Sequence, residues 1–336
     1  MSNMKASISP HLKGPRNTQN IMLDVIIALL PATAVAVWQF GLYPLAVIAI
    51  SMVSAVFFEW GYRKLMKKTN TIGDLSACVT GMLLVLTLPP TAPLWIPVIG
   101  SFFAIVVVKQ LYGGIGKNFL NPALAARAFL LASYALIMGQ YAVPASLAGI
   151  DGVTSATPLS FLYDSGAMPA YISMKSMFLG TIPGAMGEIS TLALLIGGVY
   201  LILRKVISWR IPVSFIGSVA VLTLIFGGAG FSRVDWMLYN VMAGGVFLGA
   251  IFMATDYATS PVTLNGQLLY GVGCGALTVL IRYFGGFPEG VSYAILIMNL
   301  CAWAIDKAFH RHQFGVSKED IAAEKAAKKA AKEAAK

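Results

Sequence analysis

Residues 21–40 have the sequence IMLDVIIALLPATAVAVWQF, in which Asp24 is the only charged side chain. A run of about twenty mostly apolar residues is long enough, as an α-helix, to cross the hydrocarbon core of a bilayer. This stretch therefore predicts a transmembrane helix. The same pattern returns nine more times, at about 43–60, 74–89, 92–109, 122–139, 189–204, 211–227, 237–254, 264–282 and 290–309.

The composition of the whole chain leads to the same class. Of 336 residues, 57% are hydrophobic and 11% are charged, whereas a soluble domain carries roughly 25% charged residues. So few charges would not cover a water-soluble surface, and the composition also excludes disorder, collagen and a disulfide scaffold. We predict an all-α polytopic membrane protein with about ten transmembrane helices.

The net charge of +10 is explained by topology rather than by nucleic-acid binding. If the N-terminus is cytoplasmic, ten spans place 21 of the 24 Lys and Arg residues on the cytoplasmic side, as the positive-inside rule requires. Only Lys175, Arg233 and Arg282 fall outside. The predicted units are a cytoplasmic segment 1–20, a transmembrane domain 21–309 and a basic, helical cytoplasmic tail 310–336.

The two halves of the chain show a weak internal similarity. The segment 81–93 aligns with 249–261 at a Gly, two Thr and a Pro. Five spans per half is an odd number, so such repeats would be inverted in the membrane, an arrangement that commonly places a binding site at the repeat interface. Pro89, Pro90 and Pro93 further predict broken or re-entrant third and fourth helices, whose backbone must be satisfied by protein or water.

A long loop at about 140–188 contains DGVTSATP at 151–158 and is predicted on the outer face. Thr157 followed by Pro158 is typical of a helix start, with a hydroxyl N-cap and proline at the first position. The pattern also resembles the site at which a flavin transferase esterifies a threonine with the phosphate of FMN. In that interpretation Thr157 is the acceptor on a flexible exposed strand, and the recognition positions are Asp151, Thr154, Ser155 and Ala156.

A second motif, GGIGKNFLNPALAARAF, occupies residues 113–129. It fails as a phosphate-binding P-loop because Leu111 stands where the first glycine should be and Asn118 follows Lys117. The structural interpretation is a tight turn between helices, with Asn121 and Pro122 opening the fifth span.

Together the two motifs resemble a family of membrane subunits found in two redox complexes. These are the D subunit of Rnf electron-transport complexes and the B subunit of sodium-pumping NADH:quinone reductases. The resemblance covers most of residues 20–310 and includes MATD at 253–256, FPEG at 287–290 and MNLCA at 298–302. Only about 20 residues precede the first span, which favours the Rnf member of the pair.

The resemblance implies ten spans in two inverted halves and covalent FMN on Thr157. It implies a subunit, inactive alone, of an inner-membrane ferredoxin:NAD⁺ oxidoreductase that translocates Na⁺ or H⁺. The implied partners are an outer-face FMN subunit, other membrane subunits, iron–sulfur and NADH-binding subunits, and a flavin transferase. Some family members also hold a non-covalent riboflavin, for which this sequence offers no assigned residue.

Acidic residues near span ends are the candidates for an ion path. We expect Asp256 and Thr255 to supply oxygen ligands to a hard cation, with Asp24 as a further candidate. Asn121 and Arg127 are candidates to hold a flavin or pair with such an acid. No zinc, iron–sulfur or haem site is predicted, because the cysteines form no CxxC pair and the histidines lie outside the apolar segments.

Two other functions fit part of this pattern. A cofactor-free secondary transporter or channel with inverted repeats would also have broken helices and few buried charges. A structural scaffold within a membrane complex is a lesser alternative. Covalent flavin on the denatured chain would separate the first interpretation from both.

Overall fold

The structure is a computed structural model that describes residues 17–145, 154–166, 168–169, 171–228, 230–285 and 289–309. Asp151, most of the predicted N-terminal segment and the predicted tail 310–336 lie outside these ranges. The helices of the N-terminal half are α1 Thr18–Phe40, α2 Tyr43–Leu65, α3 Ser76–Leu86, α4 Trp95–Phe102 with a π-helical continuation Phe103–Gln110, α5 Pro122–Ser133 and α6 Ala135–Met138. A 3-10 turn, Ile72–Asp74, precedes α3.

The helices of the remaining chain follow the predicted long loop or lie within it. They are α7 Pro158–Ser160 with a π-helical continuation Phe161–Ser165, α8 Met174–Leu179, α9 Thr191–Leu203, α10 Arg210–Phe226, α11 Arg233–Met242, α12 Val246–Leu248 with a π-helical continuation Gly249–Met253, α13 Leu264–Phe284 and α14 Val291–Ala308.

Each of the ten predicted apolar segments contains one of these helices or a bent pair of them. Within the described residues, α1, α2, α13 and α14 are long and apolar enough to cross a membrane, and the bent pair formed by α11 and α12 makes a fifth candidate. These helices confirm the prediction of an all-α polytopic membrane protein. The count of ten crossings and the inverted repeats stay predictions.

A short β-ladder departs from the all-α expectation. The strands β1, Tyr141–Ala142, and β2, Thr154–Ser155, are antiparallel, with Tyr141 opposite Ser155 and Ala142 opposite Thr154. The ladder joins the two ends of the segment that precedes Thr157. It therefore fixes the backbone of the two residues Thr154 and Ser155, close to Thr157.

The third predicted span ends early, because α3 stops at Leu86. The irregular backbone that follows is satisfied by a distant loop: the Gly187 N–H donates to the Leu86 carbonyl at 2.7 Å, and the Met186 N–H donates to the Leu88 carbonyl at 3.1 Å. Pairing of this kind is what buried non-helical backbone in a membrane protein requires. The contact brings the end of the predicted long loop into the middle of the helix bundle.

The eighth predicted span is broken between α11 and α12, which meet at an angle of 58°. Gly244 and Gly245 form the break, with φ of +67° and +69°, backbone angles that side chains other than glycine rarely adopt. The break exposes helix-end carbonyls at Ala243 and Gly244, which need partners from elsewhere in the fold.

Most buried apolar side chains of the described residues belong to two apolar cores, and a third, small cluster joins Ala55, Ala77 and Ile105. The larger one is formed by the long helices, with α1 against α9 and α10 against α13 among the main contacts. The smaller one packs the predicted long loop against α11, and its buried residues include Leu159, Leu162 and Trp236. The loop is therefore folded where it is described, and its apolar side chains fix the position of Thr157.

Candidate functional site

Thr157 is the N-cap of α7. Its backbone is extended, with φ −73° and ψ 157°, and its Oγ1 accepts a hydrogen bond from the Ser160 N–H at 3.3 Å. The Ser160 hydroxyl lies 3.1 Å from the same oxygen. Pro158 follows at the first helical position, where its missing N–H costs nothing. The predicted helix start at Thr157 is confirmed.

The exposure of Thr157 differs from the expectation. The residue is 6% exposed, rather than lying on an exposed strand, because Leu159 anchors the short helix in the smaller core. Of its predicted recognition neighbours, Ala156 is exposed, Ser155 is half-buried, and the backbone of Thr154 pairs in the ladder. Asp151 lies outside the described residues.

A small cavity of about 10 Å³ lies beside Thr157. It is lined by residues from the loop 182–189, from the break between α11 and α12, and from the start of α14: Thr157, Pro158, Ile182, Pro183, Gly184, Glu188, Ile189, Gly244 and Glu289. Two carboxylates thus share a cavity with the candidate acceptor. A space of this size holds about one water molecule and is far too small for a flavin ring.

Arg127 of α5 bridges these two carboxylates. Its Nη1 donates to Glu188 Oε1 at 3.2 Å, and its Nη2 donates to Glu289 Oε2. The Tyr141 hydroxyl, on β1, also donates to Glu289, at 3.1 Å. We call Arg127, Glu188, Glu289 and Tyr141 the Arg127 cluster. It ties together segments that are up to 162 residues apart in the sequence.

The Glu188 carboxylate is buried, in the segment between α8 and α9. Its side chain is 5% exposed and packs on the break, where a Cβ added to Gly245 would lie 2.6 Å from Oε1. Burial and the nearby Glu289 carboxylate raise the pKa of Glu188 to about 7, although Arg127 acts in the opposite direction. Glu188 is therefore harder to ionise than an exposed glutamate.

A second buried arginine satisfies the end of α11. Arg282, on α13, donates to the backbone carbonyls of Asn240, Ala243 and Gly244 at 2.5, 3.1 and 3.3 Å. A cation at a helix C-terminus is favourable, since the helix dipole places partial negative charge there. Gly244 also lines the cavity beside Thr157, so Arg282 bonds to one of the lining residues of that cavity.

For a threonine-linked phosphate this site offers a hydroxyl, whereas the charged side chains that line the cavity are the carboxylates of Glu188 and Glu289. The Nε atoms of Arg127 and Arg282 are buried and have no hydrogen-bond partner within the described part of the chain. Buried donors of this kind are normally satisfied, so two guanidiniums retain capacity for an anion. Thr157 supplies the hydroxyl, which must release its bond to the Ser160 N–H before it can form an ester.

Three of the other predicted residues gather around a second cavity, of about 100 Å³. Asn121, Thr255 and Asp256 line it, together with Lys109 and Asn118. The sequence therefore identified residues that meet in space, although they come from opposite halves of the chain.

The side chains of Asn121 and Thr255 are engaged in local structure. Asn121 caps α5, accepting from the Ala123 and Leu124 N–H groups at 3.0 and 3.3 Å, and its amide donates to the Met253 carbonyl at 3.1 Å. The Thr255 hydroxyl donates to the Ile251 carbonyl at 2.6 Å. The structural interpretation of Asn121 as the residue that opens the fifth span is thus confirmed.

Asp256 lies in the turn after the π-helical segment and accepts from the Thr259 hydroxyl at 3.1 Å. Burial raises its pKa, and hydrogen bonds from Thr259 and Asn118 oppose that rise. Asp24 differs, because it accepts from the Tyr200 hydroxyl at 2.8 Å and pairs with Arg204 at 3.2 Å. Its carboxylate therefore has two partners, one on α9 and one at the residue that follows α9.

A buried ion pair that we did not predict also faces the larger cavity. Lys109 Nζ lies 2.8 Å from Glu59 Oε2 and 2.6 Å from Ser76 Oγ, and the Thr71 hydroxyl donates to Glu59 at 2.8 Å. Glu59 is completely buried. In the sequence, Lys109 lies at the end of a predicted apolar segment, and a lysine in that position predicts a buried acidic partner.

Glu188 and Glu289 are the candidate functional residues that sequence reasoning missed. In the sequence, Glu188 is one acidic residue of a long loop, and Glu289 is part of the FPEG motif. No local pattern connects either of them with Arg127, because they lie 61 and 162 residues away from it.

Comparison with known proteins identifies a family and several similar proteins. The model of the NQR2, RnfD, RnfE family matches residues 5–315. The chain is 48% identical to the D subunit of the Na⁺-translocating ferredoxin:NAD⁺ oxidoreductase complex of Acetobacterium woodii, over 94% of this chain and 96% of that protein. It is 43% identical to the D subunit of the proton-translocating ferredoxin:NAD⁺ oxidoreductase complex of Clostridium ljungdahlii, over 93% and 96%.

A more distant relative extends the match. The D subunit of the ion-translocating oxidoreductase complex of Shewanella amazonensis is 37% identical over 93% of this chain and 98% of its own length. These matches cover nearly the whole of each protein, and the apolar helices are those of a multi-pass membrane protein. The chain therefore belongs to the NQR2, RnfD, RnfE family.

Proposed function

We propose that the chain is the D subunit of an ion-translocating ferredoxin:NAD⁺ oxidoreductase complex and relays electrons through FMN esterified to Thr157. The relatives that support this carry that complex in their names and match over more than nine-tenths of this chain. The observation that carries the flavin assignment is the position of Thr157. The motif threonine lines the same cavity as Glu188 and Glu289, the two carboxylates that Arg127 holds.

The residues around Thr157 have separate tasks in this proposal. Thr157 provides the ester oxygen, while Arg127 and Arg282 offset the negative charge of the phosphate. Leu159 and the β-ladder hold the segment against α11, so the attachment point stays fixed relative to the helices. When bound, FMN supplies one- or two-electron transfer, which the protein tunes through charge and position.

The chain acts as part of a complex rather than alone. The proposed partners are an outer-face FMN subunit, further membrane subunits, and iron–sulfur and NADH-binding subunits, with a flavin transferase modifying Thr157. The proposed setting is the inner membrane with both termini in the cytoplasm, which rests on the distribution of Lys and Arg.

In this proposal, the coupled ion passes through the cavity of about 100 Å³. Asp256 and Thr255 line it and offer oxygen atoms, which suit both Na⁺ coordination and proton exchange. One relative is named as Na⁺-translocating and another as proton-translocating, so the family context admits either ion. A non-covalent riboflavin rests on the family resemblance alone, and we assign no residue to it.

In-gel fluorescence tests the flavin assignment. The chain is co-expressed with a flavin transferase, denatured, and its band examined under ultraviolet light. We expect a bright band for the wild type, a dark band for Thr157→Val and a bright band for Thr223→Val, a buried threonine of α10 that bonds only within its own helix. A dark wild-type band would support the cofactor-free transporter or channel instead.

Ion coupling is tested in the assembled complex. We expect Asp256→Asn to slow ion-coupled turnover while flavin content stays unchanged. Asp235→Asn is the matched control, because Asp235 lies in the first turn of α11 and bonds Ser232 at an exposed site. Equal coupling in both variants would remove Asp256 from the path.

A further inference from the structure

A further cavity, of about 440 Å³, lies beside the cavity of about 100 Å³ that Asp256 lines. We call the former the vestibule and the latter the inner cavity. The vestibule is lined by Asn20, Leu23, Asp24, Arg204 and Lys205, and by three residues that also line the inner cavity: Ile21, Val206 and Tyr257. The two cavities therefore meet at these three side chains.

The vestibule lies at the ends of predicted spans. It is built from the start of α1, the residues after α9 and the turn after the π-helical segment Gly249–Met253. The distribution of Lys and Arg places all three of these segments on the cytoplasmic side. Leu23 is 45% exposed and the Arg204 side chain is 58% exposed, so the vestibule opens to the surface there. In the proposed topology, the inner cavity is thus reached from the cytoplasm through the vestibule.

Tyr257 closes the boundary between the two cavities. Its hydroxyl donates to the Val206 carbonyl, which joins the turn that contains Asp256 to the residues after α9. Val206 is buried, whereas Tyr257 is 56% exposed, so the tyrosine is the partner with room to move. Because a single hydrogen bond has modest net strength in water, this contact can open and close.

The charged side chains favour a cation on this route. One carboxylate lies in each cavity, Asp24 in the vestibule and Asp256 in the inner cavity. Asp24 pairs with Arg204, and Lys109 of the inner cavity pairs with Glu59 at 2.8 Å. Asp256 is therefore the charged lining residue of the inner cavity that has no ion pair within the described part of the chain, and it attracts positive charge.

We propose that Tyr257 is a gate, and that the coupled cation enters the inner cavity from the cytoplasm when the Tyr257 hydroxyl releases the Val206 carbonyl. This inference rests on the proposed ion path through the inner cavity and deepens it. It names the route by which the cation reaches Asp256 and the side chain that controls that route. An inner cavity of about 100 Å³ has room for several water molecules, so the cation keeps part of its hydration there.

Reaction of introduced thiols with Ag⁺ tests the gate, because Ag⁺ is a monovalent cation that marks the places such an ion can reach. The full chain, with its three native cysteines replaced by alanine, carries either Leu23→Cys in the vestibule or Thr80→Cys in the inner cavity. Ag⁺ is added to inverted membrane vesicles, which present the cytoplasmic face. Thiols that have not reacted are then labelled with a fluorescent maleimide after denaturation, and the rate is read from the band of the chain.

We expect Leu23→Cys to react rapidly with or without a substitution at Tyr257, and Thr80→Cys to react slowly when Tyr257 is intact. Tyr257→Phe keeps the ring and removes the hydroxyl, so it should speed the Thr80→Cys reaction about fivefold, the factor expected for the loss of one hydrogen bond. Tyr257→Ala should speed it further. The matched control is Tyr112→Phe, a change to an exposed tyrosine that lines neither cavity, which should have no effect.

Equal Thr80→Cys rates with intact Tyr257, Tyr257→Phe and Tyr257→Ala would overturn the gate. A faster Thr80→Cys reaction when Ag⁺ is added to the outer face of right-side-out vesicles would overturn it as well. If Asp256→Asn still slows ion-coupled turnover in that case, the proposed ion path stands without this gate. Equal coupling in Asp256→Asn and its control would instead remove the ion path, and this inference with it.

Discussion

Replacing Arg127 by methionine should destabilise the protein far more than removing a surface arginine. Arg127→Met leaves Glu188 and Glu289 buried without their shared cation. Breaking a buried ion pair by removing one partner costs about 3–5 kcal/mol, because the remaining charge has lost its compensation. Arg204, whose side chain is 58% exposed in its pair with Asp24, is the matched control. Arg204→Ala should cost about 0–1 kcal/mol.

The assay is reversible unfolding of the detergent-solubilised chain in mixed micelles of increasing dodecyl sulfate. A rescue variant separates charge from packing: Arg127→Met combined with Glu188→Gln and Glu289→Gln should recover most of the lost stability, since no uncompensated charge remains. Arg127→Lys should fall between wild type and Arg127→Met, because it keeps the charge but loses the planar fork that reaches both carboxylates.

The pH dependence of Arg127→Met has a defined sign. Without the guanidinium, the two buried carboxyls bind protons more tightly in the folded state than in the unfolded chain, where glutamate titrates at about 4.3. Folding of the variant is therefore favoured at low pH, and its stability falls as pH rises through the raised values. The difference from wild type should therefore shrink as the pH is lowered. A loss of stability equal to that of Arg204→Ala, or one that does not change with pH, would refute the claim that the Arg127 cluster is a set of buried charges.

Two further substitutions test the helix break and the second buried pair. Gly245→Ala should lower stability by about 1–3 kcal/mol, because φ is +69° there and the new Cβ would lie 2.6 Å from Glu188 Oε1; Gly217→Ala, where a Cβ meets nothing within 4 Å, should be neutral or stabilising in the same unfolding assay. Lys109→Met should cost about 3–5 kcal/mol by leaving Glu59 buried and unpaired, and adding Glu59→Gln should restore most of it. An unchanged midpoint for Gly245→Ala, or no rescue by Glu59→Gln, would contradict these assignments.

The helices were predictable because their signals are local. Each apolar segment contains a helix, and the cap at Thr157 followed from the Thr-Pro pair itself. The break in the eighth segment was not predictable in the same way. Two adjacent glycines permit a bend, but the bend of 58° is stabilised by Arg282, which comes from another part of the chain.

The candidate site was predicted only in part for the same physical reason. The motif around Thr157 is contiguous, so its resemblance to a flavin attachment site was visible. The burial of Thr157 was not, because it depends on Leu159 packing against α11. The acids that meet Arg127 were hidden as well, since long-range ion pairs leave no periodic pattern in the sequence.

The most direct test of the flavin assignment is mass spectrometry of the peptide that contains Thr157, taken from the complex purified in its native membrane. We predict that this peptide carries the mass of FMN less one water, with fragmentation placing the group on Thr157. An active complex that yields only the unmodified peptide would contradict the central claim.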